Sequence, residues 1–308
     1  MNLDHPDATH IWYNGDYVNW DDAQTHVLTH GLHYGTGIFE GVRLYETEEH
    51  PVIFRWEDHL ERLYDSAHIH EIEIPYRRSE LTEATKTLVK KQGVEDAYIR
   101  PIAFLGYESL GLSPVDLPVD VAIAVVPEPQ YLSKESIDVK TSSWRRFTSG
   151  AIPTTAKTTG AYINSTFARR EALKNGYDEA LFLNQEGRVA EGTGENLFMI
   201  NDDTLKTTGA PQDTLRGITQ DTVIKLAQDR GYSVETDCPI NRSELYTADE
   251  LFFTGTATGT TPISSVDDRE INGGGVGGTT REIQDEYDDL IQNQPNRYSS
   301  WFTEVRID

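Results

Sequence analysis

The chain has 308 residues, enough for two domains of ordinary size, and its 51 Asp plus Glu against 27 Lys plus Arg give a formal net charge of -24. A field of that sign repels nucleic acid and anionic membranes, and the single cysteine, Cys238, excludes an intrachain disulfide and a thiol zinc site. Only nine of the 27 basic residues are lysines, and this acidic, lysine-poor balance reads as adaptation to high salt, with an ordinary acidic protein as the alternative. Residues 1–10 lack a basic region followed by an apolar run, and no stretch reaches transmembrane length, so a cytoplasmic protein is expected.

In chain order, Ile11 to Asn19 alternates around Asn14-Gly15, a two-residue hairpin signal. Thr29 to Gly41 interleaves glycines with aromatics and histidines, as suits a segment lining a pocket or a plain connector. His30 and His33 have no third ligand nearby, which favours hydrogen-bonding roles over a metal site. Val42 to Tyr45 and Val52 to Arg55 read as strands. Glu57 to Ile69 and Ser79 to Gln92 read as amphipathic helices, the second capped by Ser79 and stopped by Gly93. Asp96 to Leu105 and Val119 to Val126 are apolar, β-branched runs expected to be interior strands.

Pro127-Glu128-Pro129 ends this α+β half abruptly. The spacing predicts an N-terminal domain over 1–126, a linker over 127–136 and a second domain over 137–308. In that second half, strands are expected at Ile137 to Trp144, Ala180 to Asn184, Asn196 to Ile200 and Leu251 to Thr254. Helices are expected at Tyr162 to Lys174, from Gly217-Ile218-Thr219 to Gly231, and at Thr279 to Gln292, with a flexible glycine-rich loop over 272–278.

Between Arg146 and Arg169 the only formal charge is Lys157, set in Ala156-Lys157-Thr158-Thr159-Gly160-Ala161-Tyr162. Burial without a counter-charge disfavours an ammonium and frees a nucleophilic amine, the group that forms Schiff bases with carbonyls such as pyridoxal phosphate. An ordinary lysine on a Thr-rich loop fits the same stretch, so other parts of the chain must decide. Pyridoxal phosphate also needs an acid at its ring nitrogen and an anchor for its phosphate. Glu191, in Glu191-Gly192-Thr193-Gly194-Glu195-Asn196, is the candidate acid, with a solvated turn residue as the alternative. The helix start at Gly217-Ile218-Thr219 offers free amides and a hydroxyl, the Gly255-Thr256-Ala257 turn offers Thr256, and Arg55 offers a cation that an acid elsewhere on the surface could equally claim.

Taken together, Leu32-His33-Tyr34-Gly35-Thr36 with Phe39-Glu40-Gly41, Tyr98-Ile99-Arg100-Pro101, Lys157, Glu191 to Asn196 and Gly255-Thr256-Ala257 make the whole chain resemble the branched-chain aminotransferases among the fold-type IV pyridoxal phosphate enzymes. That resemblance implies an α/β (α+β), two-domain architecture like that of D-amino-acid aminotransferase, with the cofactor between domains. It implies Lys157 as Schiff-base lysine and proton shuttle, Glu191 at the ring nitrogen, Tyr162 near the ring hydroxyl, and Arg55, Gly217, Ile218, Thr219 and Thr256 around the phosphate. Substrate contacts would come from Tyr34, Phe39, Tyr98, Arg100, Tyr131, Thr256 and Ala257. The region of Leu110 and Leu112 would reach a neighbouring copy, which implies a homodimer. The expected reaction moves the amino group of leucine, isoleucine or valine to 2-oxoglutarate. A D-amino-acid aminotransferase or an aminodeoxychorismate lyase of the same fold is the nearest alternative, and a non-catalytic binding protein that kept the pocket is a more distant one.

Overall fold

A computed structural model describes residues 8–112, 116–127 and 134–306. Contacts divide them into two compact units: the first takes the described residues up to 127 with 156–161 and 291–306, the second takes 134–155 and 162–290. The chain therefore returns to the first unit twice after leaving it, once for the six residues that contain Lys157 and once at its end. A single division at 127–136 does not capture those two returns.

The first unit is an antiparallel sheet ordered Phe302–Glu304, Val52–Phe54, Val42–Tyr45, Ala97–Leu105, Val119–Pro127, His10–Tyr13, Asp16–Asn19, with Gly37–Phe39 also paired to Ala97–Leu105. Its first hairpin turns at Asn14 and Gly15, both at positive φ (49° and 100°), the geometry a two-residue connection requires. The helices Trp56–Ile69 and Arg78–Gln92 present Trp56, Leu60, Leu63, Leu81 and Leu88 to a core shared with Ile38, Leu44, Ile99 and Ile123 of the strands. The second helix starts earlier than its sequence suggests: Arg77, not Ser79, is the capping residue, because the Glu80 carboxylate accepts the Arg77 amide at 2.7 Å.

The second unit is a mixed sheet ordered Val189–Gly192, Glu179–Leu183, Ile137–Arg145, Gly259–Val266, Glu250–Gly255, Asn196–Asn201, Thr204–Thr207, Ser233–Glu235. Ile137–Arg145 and Glu179–Leu183 run parallel, as a strand, helix, strand unit with Tyr162–Lys174 between them requires. Small Ala168 and Ala172 on that helix allow close approach to Ala180 and Phe182 of the second strand. The helix Ile218–Asp229 packs Val223 and Ala227 against Phe198 and Phe252. In the glycine-rich stretch Asn272–Gly274 form a 3-10 turn, and Gly277 lies against the Glu250 carboxylate, which accepts the amides of Thr279 and Thr280 at the start of the helix Gly278–Asn293.

Candidate active site

The first unit gathers four of the expected site residues, Phe39, Tyr98, Arg100 and Lys157. The stretch 156–161 lies alongside Gly37–Phe39: Ile38 and Thr158 form an antiparallel bridge, and the Phe39 amide donates to the Lys157 carbonyl at 3.1 Å. Lys157 Nζ sits 5.1 Å from the centre of the Phe39 ring, and the Arg100 guanidinium lies 4.8 Å from that ring and 5.1 Å from the ring of Tyr98. Arg100 Nη2 donates to the Tyr98 hydroxyl at 3.0 Å, while Arg100 Nε is buried without a hydrogen-bond partner among the described residues. The hydroxyl reaches this place only because residue 41 is glycine; a Cβ there would lie 1.7 Å from it. The Lys157 amine and the Arg100 guanidinium thus lie against a pair of aromatic rings, a surface that is apolar along the rings and carries the Arg100 charge at one end.

The helix Trp56–Ile69 supports this cluster from one stripe of side chains. Glu40, fully buried, accepts two hydrogen bonds from Arg62 at 2.6 and 2.8 Å and one from His59 Nδ1 at 2.8 Å. Burial, the largest single influence, raises the Glu40 carboxyl, but the Arg62 guanidinium and the His59 hydrogen bond together outweigh it and hold the group well below the usual carboxylate range. Burial pushes His59 down, so it meets Glu40 as a neutral donor and Arg62 is the counter-ion. Ser66 and His70, one and two turns further on, hydrogen-bond the Lys157 amide (3.0 Å) and the Thr158 hydroxyl (2.6 Å). The sequence points to Phe39-Glu40-Gly41 but to none of these supporting groups.

Arg55 caps the same helix in the left-handed region (φ 55°), where a side chain other than glycine is uncommon. Its guanidinium makes two hydrogen bonds to Asp58, at 2.6 and 2.9 Å, and lies 4.3 Å from the centre of the Trp301 ring. Tyr34, Leu110 and Leu112 are exposed rather than packed into the cluster, and Tyr131 lies outside the described residues. His30 has the hydrogen-bonding role expected of it, with Nε2 2.9 Å from the Gly111 carbonyl and Nδ1 2.7 Å from the Thr36 hydroxyl.

The second unit contains Tyr162, Glu191, Gly217, Ile218, Thr219, Thr256 and Ala257. Glu191 is buried, with Oε1 2.7 Å from Arg146 Nη2 and Oε2 accepting the Leu215 amide at 2.9 Å. Asn196 donates to the Leu215 carbonyl at 2.9 Å, and residue 217 must be glycine because a Cβ would stand 2.0 Å from Asn196 Oδ1. Immediately after Gly217 the helix Ile218–Asp229 begins, so the amides of Ile218 and Thr219 point out of its positive end, with the buried Thr219 hydroxyl beside them. Asn196 also pairs with Thr254, which leads into the turn Thr256-Ala257-Thr258. There the hydroxyls of Thr254, Thr258 and Thr260 are buried without partners among the described residues. Orphan amides and hydroxyls of this kind suit an oxyanion, so the donor set fits a phosphate group. Tyr162 opens the helix Tyr162–Lys174 and is half-buried.

The family description Amino-transferase class IV matches residues 37–266, three quarters of the chain. The chain belongs to the class IV aminotransferases. Among curated members of that family, the branched-chain-amino-acid aminotransferase of Pseudomonas aeruginosa is 46% identical over 302 residues, covering 96% of this chain and 97% of its own. Among solved members, the T.th. branched-chain amino acid aminotransferase complexed with N-(5'-phosphopyridoxyl)-L-glutamate is 42% identical with a TM-score of 0.93, over 97% of this chain and 99% of its own. The Escherichia coli enzyme of the same name is 39% identical with a TM-score of 0.94, over 97% and 100%.

Proposed function

We infer that this class IV aminotransferase uses pyridoxal 5'-phosphate to move the amino group of L-leucine, L-isoleucine or L-valine to 2-oxoglutarate. The observation that carries the inference is the agreement, over nearly the whole chain, with enzymes named for branched-chain amino acids, one of them solved with a phosphopyridoxyl-glutamate adduct. The same relatives favour this reading over a D-amino-acid aminotransferase or an aminodeoxychorismate lyase.

When bound, pyridoxal phosphate supplies an aldehyde to hold the substrate nitrogen and a ring that accepts electrons from the α-carbon. The residue roles are proposals that rest on the geometry of each unit. Lys157 Nζ is the base that takes the proton from the α-carbon of the amino acid. Glu191, held on one oxygen by Arg146 and on the other by Leu215, keeps a proton on the ring nitrogen. The amides of Ile218 and Thr219 bind the phosphate with the hydroxyls of Thr219 and Thr256, Gly217 giving them clearance and Arg55 adding a cation. Tyr162 orients the ring hydroxyl.

Phe39, Tyr34 and Tyr131 are proposed to supply the apolar surface for a branched side chain, Tyr98 a further substrate contact, and Thr256 and Ala257 the backbone turn for its carboxylate. Arg100 is the cation for the distal carboxylate of glutamate. The exposed Leu110 and Leu112 are proposed to cover the site of a second copy, making a homodimer. A cytoplasmic, salt-rich setting is proposed from the charge balance and the single cysteine; no helix among the described residues is long and apolar enough to cross a membrane.

A donor screen with 2-oxoglutarate as acceptor tests the reading. Glutamate should form from leucine, isoleucine and valine and not from D-alanine; the opposite preference would assign the chain to the D-amino-acid type.

A further inference from the structure

We propose that Arg146 is a positioning residue for the reaction, acting through Glu191. The proposal rests on the function inferred above, in which Glu191 faces the ring nitrogen of pyridoxal phosphate, and adds a residue that this function does not by itself require. Arg146 is buried at 7% exposure, follows directly on the strand Ile137–Arg145, and meets Glu191, itself at 6%, across 2.7 Å.

A buried carboxylate left without a cation is driven toward its protonated form. Such a Glu191 would offer a hydroxyl hydrogen where the ring nitrogen needs an acceptor. A guanidinium beside it keeps the carboxylate an acceptor, and it also withdraws charge from Glu191, which limits how tightly the ring nitrogen holds its proton. Arg146 therefore sets both the direction and the strength of that contact.

The surroundings of Arg146 show a group held in one place. Its amide donates to the Leu183 carbonyl at 2.9 Å and its carbonyl accepts Gln185 Nε2 at 3.0 Å, which fixes the backbone against the neighbouring strand. Its Nε donates to the Asp213 carbonyl at 3.3 Å, and its guanidinium lies 4.1 Å from the centre of the Phe147 ring. Asp213 is in turn fixed by the Ser149 amide, which donates to its carboxylate at 2.9 Å. The other oxygen of Glu191 accepts the Leu215 amide, two residues before Gly217, so one carboxylate links Arg146 to the loop that carries the phosphate donors. A residue serving stability alone would not need to meet the functional carboxylate at the oxygen opposite that loop.

The test compares the holoenzyme with Arg146→Gln, which keeps hydrogen-bonding capacity without charge, and Arg146→Lys, which keeps charge without the fork. Each is followed by the pH midpoint of the visible absorption of bound pyridoxal phosphate, by kcat and KM for leucine, and by thermal melting. Arg146→Gln should shift the absorption midpoint and lower kcat by roughly tenfold to a hundredfold, with KM little changed, the scale seen when groups supporting a ligated site are removed. Arg146→Lys should recover most of both. A folded Arg146→Gln protein with the parental midpoint and kcat overturns the proposal. Should that variant fail to fold, Arg146→Lys decides: an ammonium that replaces the fork only in part should leave a small, measurable shift of the midpoint in a folded protein, and a midpoint and kcat equal to the parent's overturn the proposal. A parent protein that takes up no coloured cofactor would instead overturn the inferred function itself.

Discussion

The amide of Lys157 donates to the Ser66 hydroxyl at 3.0 Å, and the same hydroxyl donates to the Arg62 carbonyl at 2.7 Å. One oxygen thus ties the backbone of the only charge in its stretch to the helix whose other residues, His59 and Arg62, fix Glu40. Ser66→Ala removes both bonds and leaves the Lys157 amide without this acceptor, at a cost of roughly 1 to 3 kcal/mol. We expect a lower melting temperature and a lower kcat, with KM for leucine nearly unchanged and Ser66→Thr close to the parent. Parental values for Ser66→Ala in both measurements would show that the tie plays no part.

Glu191→Gln should retain cofactor, because the phosphate donors on the helix Ile218–Asp229 are untouched, yet slow the proton transfer from the α-carbon. A neutral amide does not hold the ring nitrogen protonated. Stopped-flow rates with α-deuterated leucine would show a larger isotope effect than in the parent; an unchanged rate moves the role to Glu195.

Arg100→Met removes the cation stacked on Phe39 and Tyr98. A charge-assisted contact contributes about 1.5 to 3 kcal/mol, so KM for glutamate and 2-oxoglutarate should rise about tenfold or more while leucine changes far less. Equal losses for leucine and glutamate would make Arg100 structural.

Acid should destabilise the protein in two stages. His59 and His70 are pushed below their ordinary value of 6.5 by burial, so the unfolded chain takes their protons first and stability falls as pH drops below that value. Glu40 lies below its ordinary 4.5, so its contribution is complete above that value and is lost as pH falls further. Urea midpoints should fall steadily as the buffer is taken from about pH 8 to about pH 4, and His59→Gln should flatten the upper stage. Stability that rises on acidification would contradict this assignment.

The net charge of -24 predicts that stability and activity rise with salt, since the Debye length shrinks to about 3 Å at 1 M. Melting temperatures in dilute buffer and in molar potassium chloride check this. Equal values would remove the halophilic reading.

Local signals in the sequence are enough for most elements. Asn14-Gly15 marks its hairpin, and the helix Tyr162–Lys174 has the expected bounds because a neutral, small-residue start and Gly176 after its end define it locally. What escapes is non-local. Nothing near Arg146 in the chain points to Glu191, and nothing near Phe302 points to the pairing with Phe54 that returns the tail to the first sheet. The paired arginines Arg145-Arg146, the only charges between Lys140 and Lys157, are the available hint: one is exposed and the other buried, and a buried arginine needs an acid. The residues of the site are legible through the family resemblance, whereas the groups that hold them, Ser66, His59 and Arg62, look in sequence like the polar side of an amphipathic helix.

The most direct measurement is a single turnover of the holoenzyme with L-leucine in the absence of any oxo acid, followed by addition of 2-oxoglutarate. The visible cofactor absorption should be lost, with release of the 2-oxo acid of leucine in amounts matching the active sites. Addition of 2-oxoglutarate should then restore the absorption with an equal amount of glutamate, and Lys157→Ala should do neither at a measurable rate. A parent enzyme whose absorption does not respond to leucine, or a Lys157→Ala protein that completes the cycle without added amine, would contradict the inferred function.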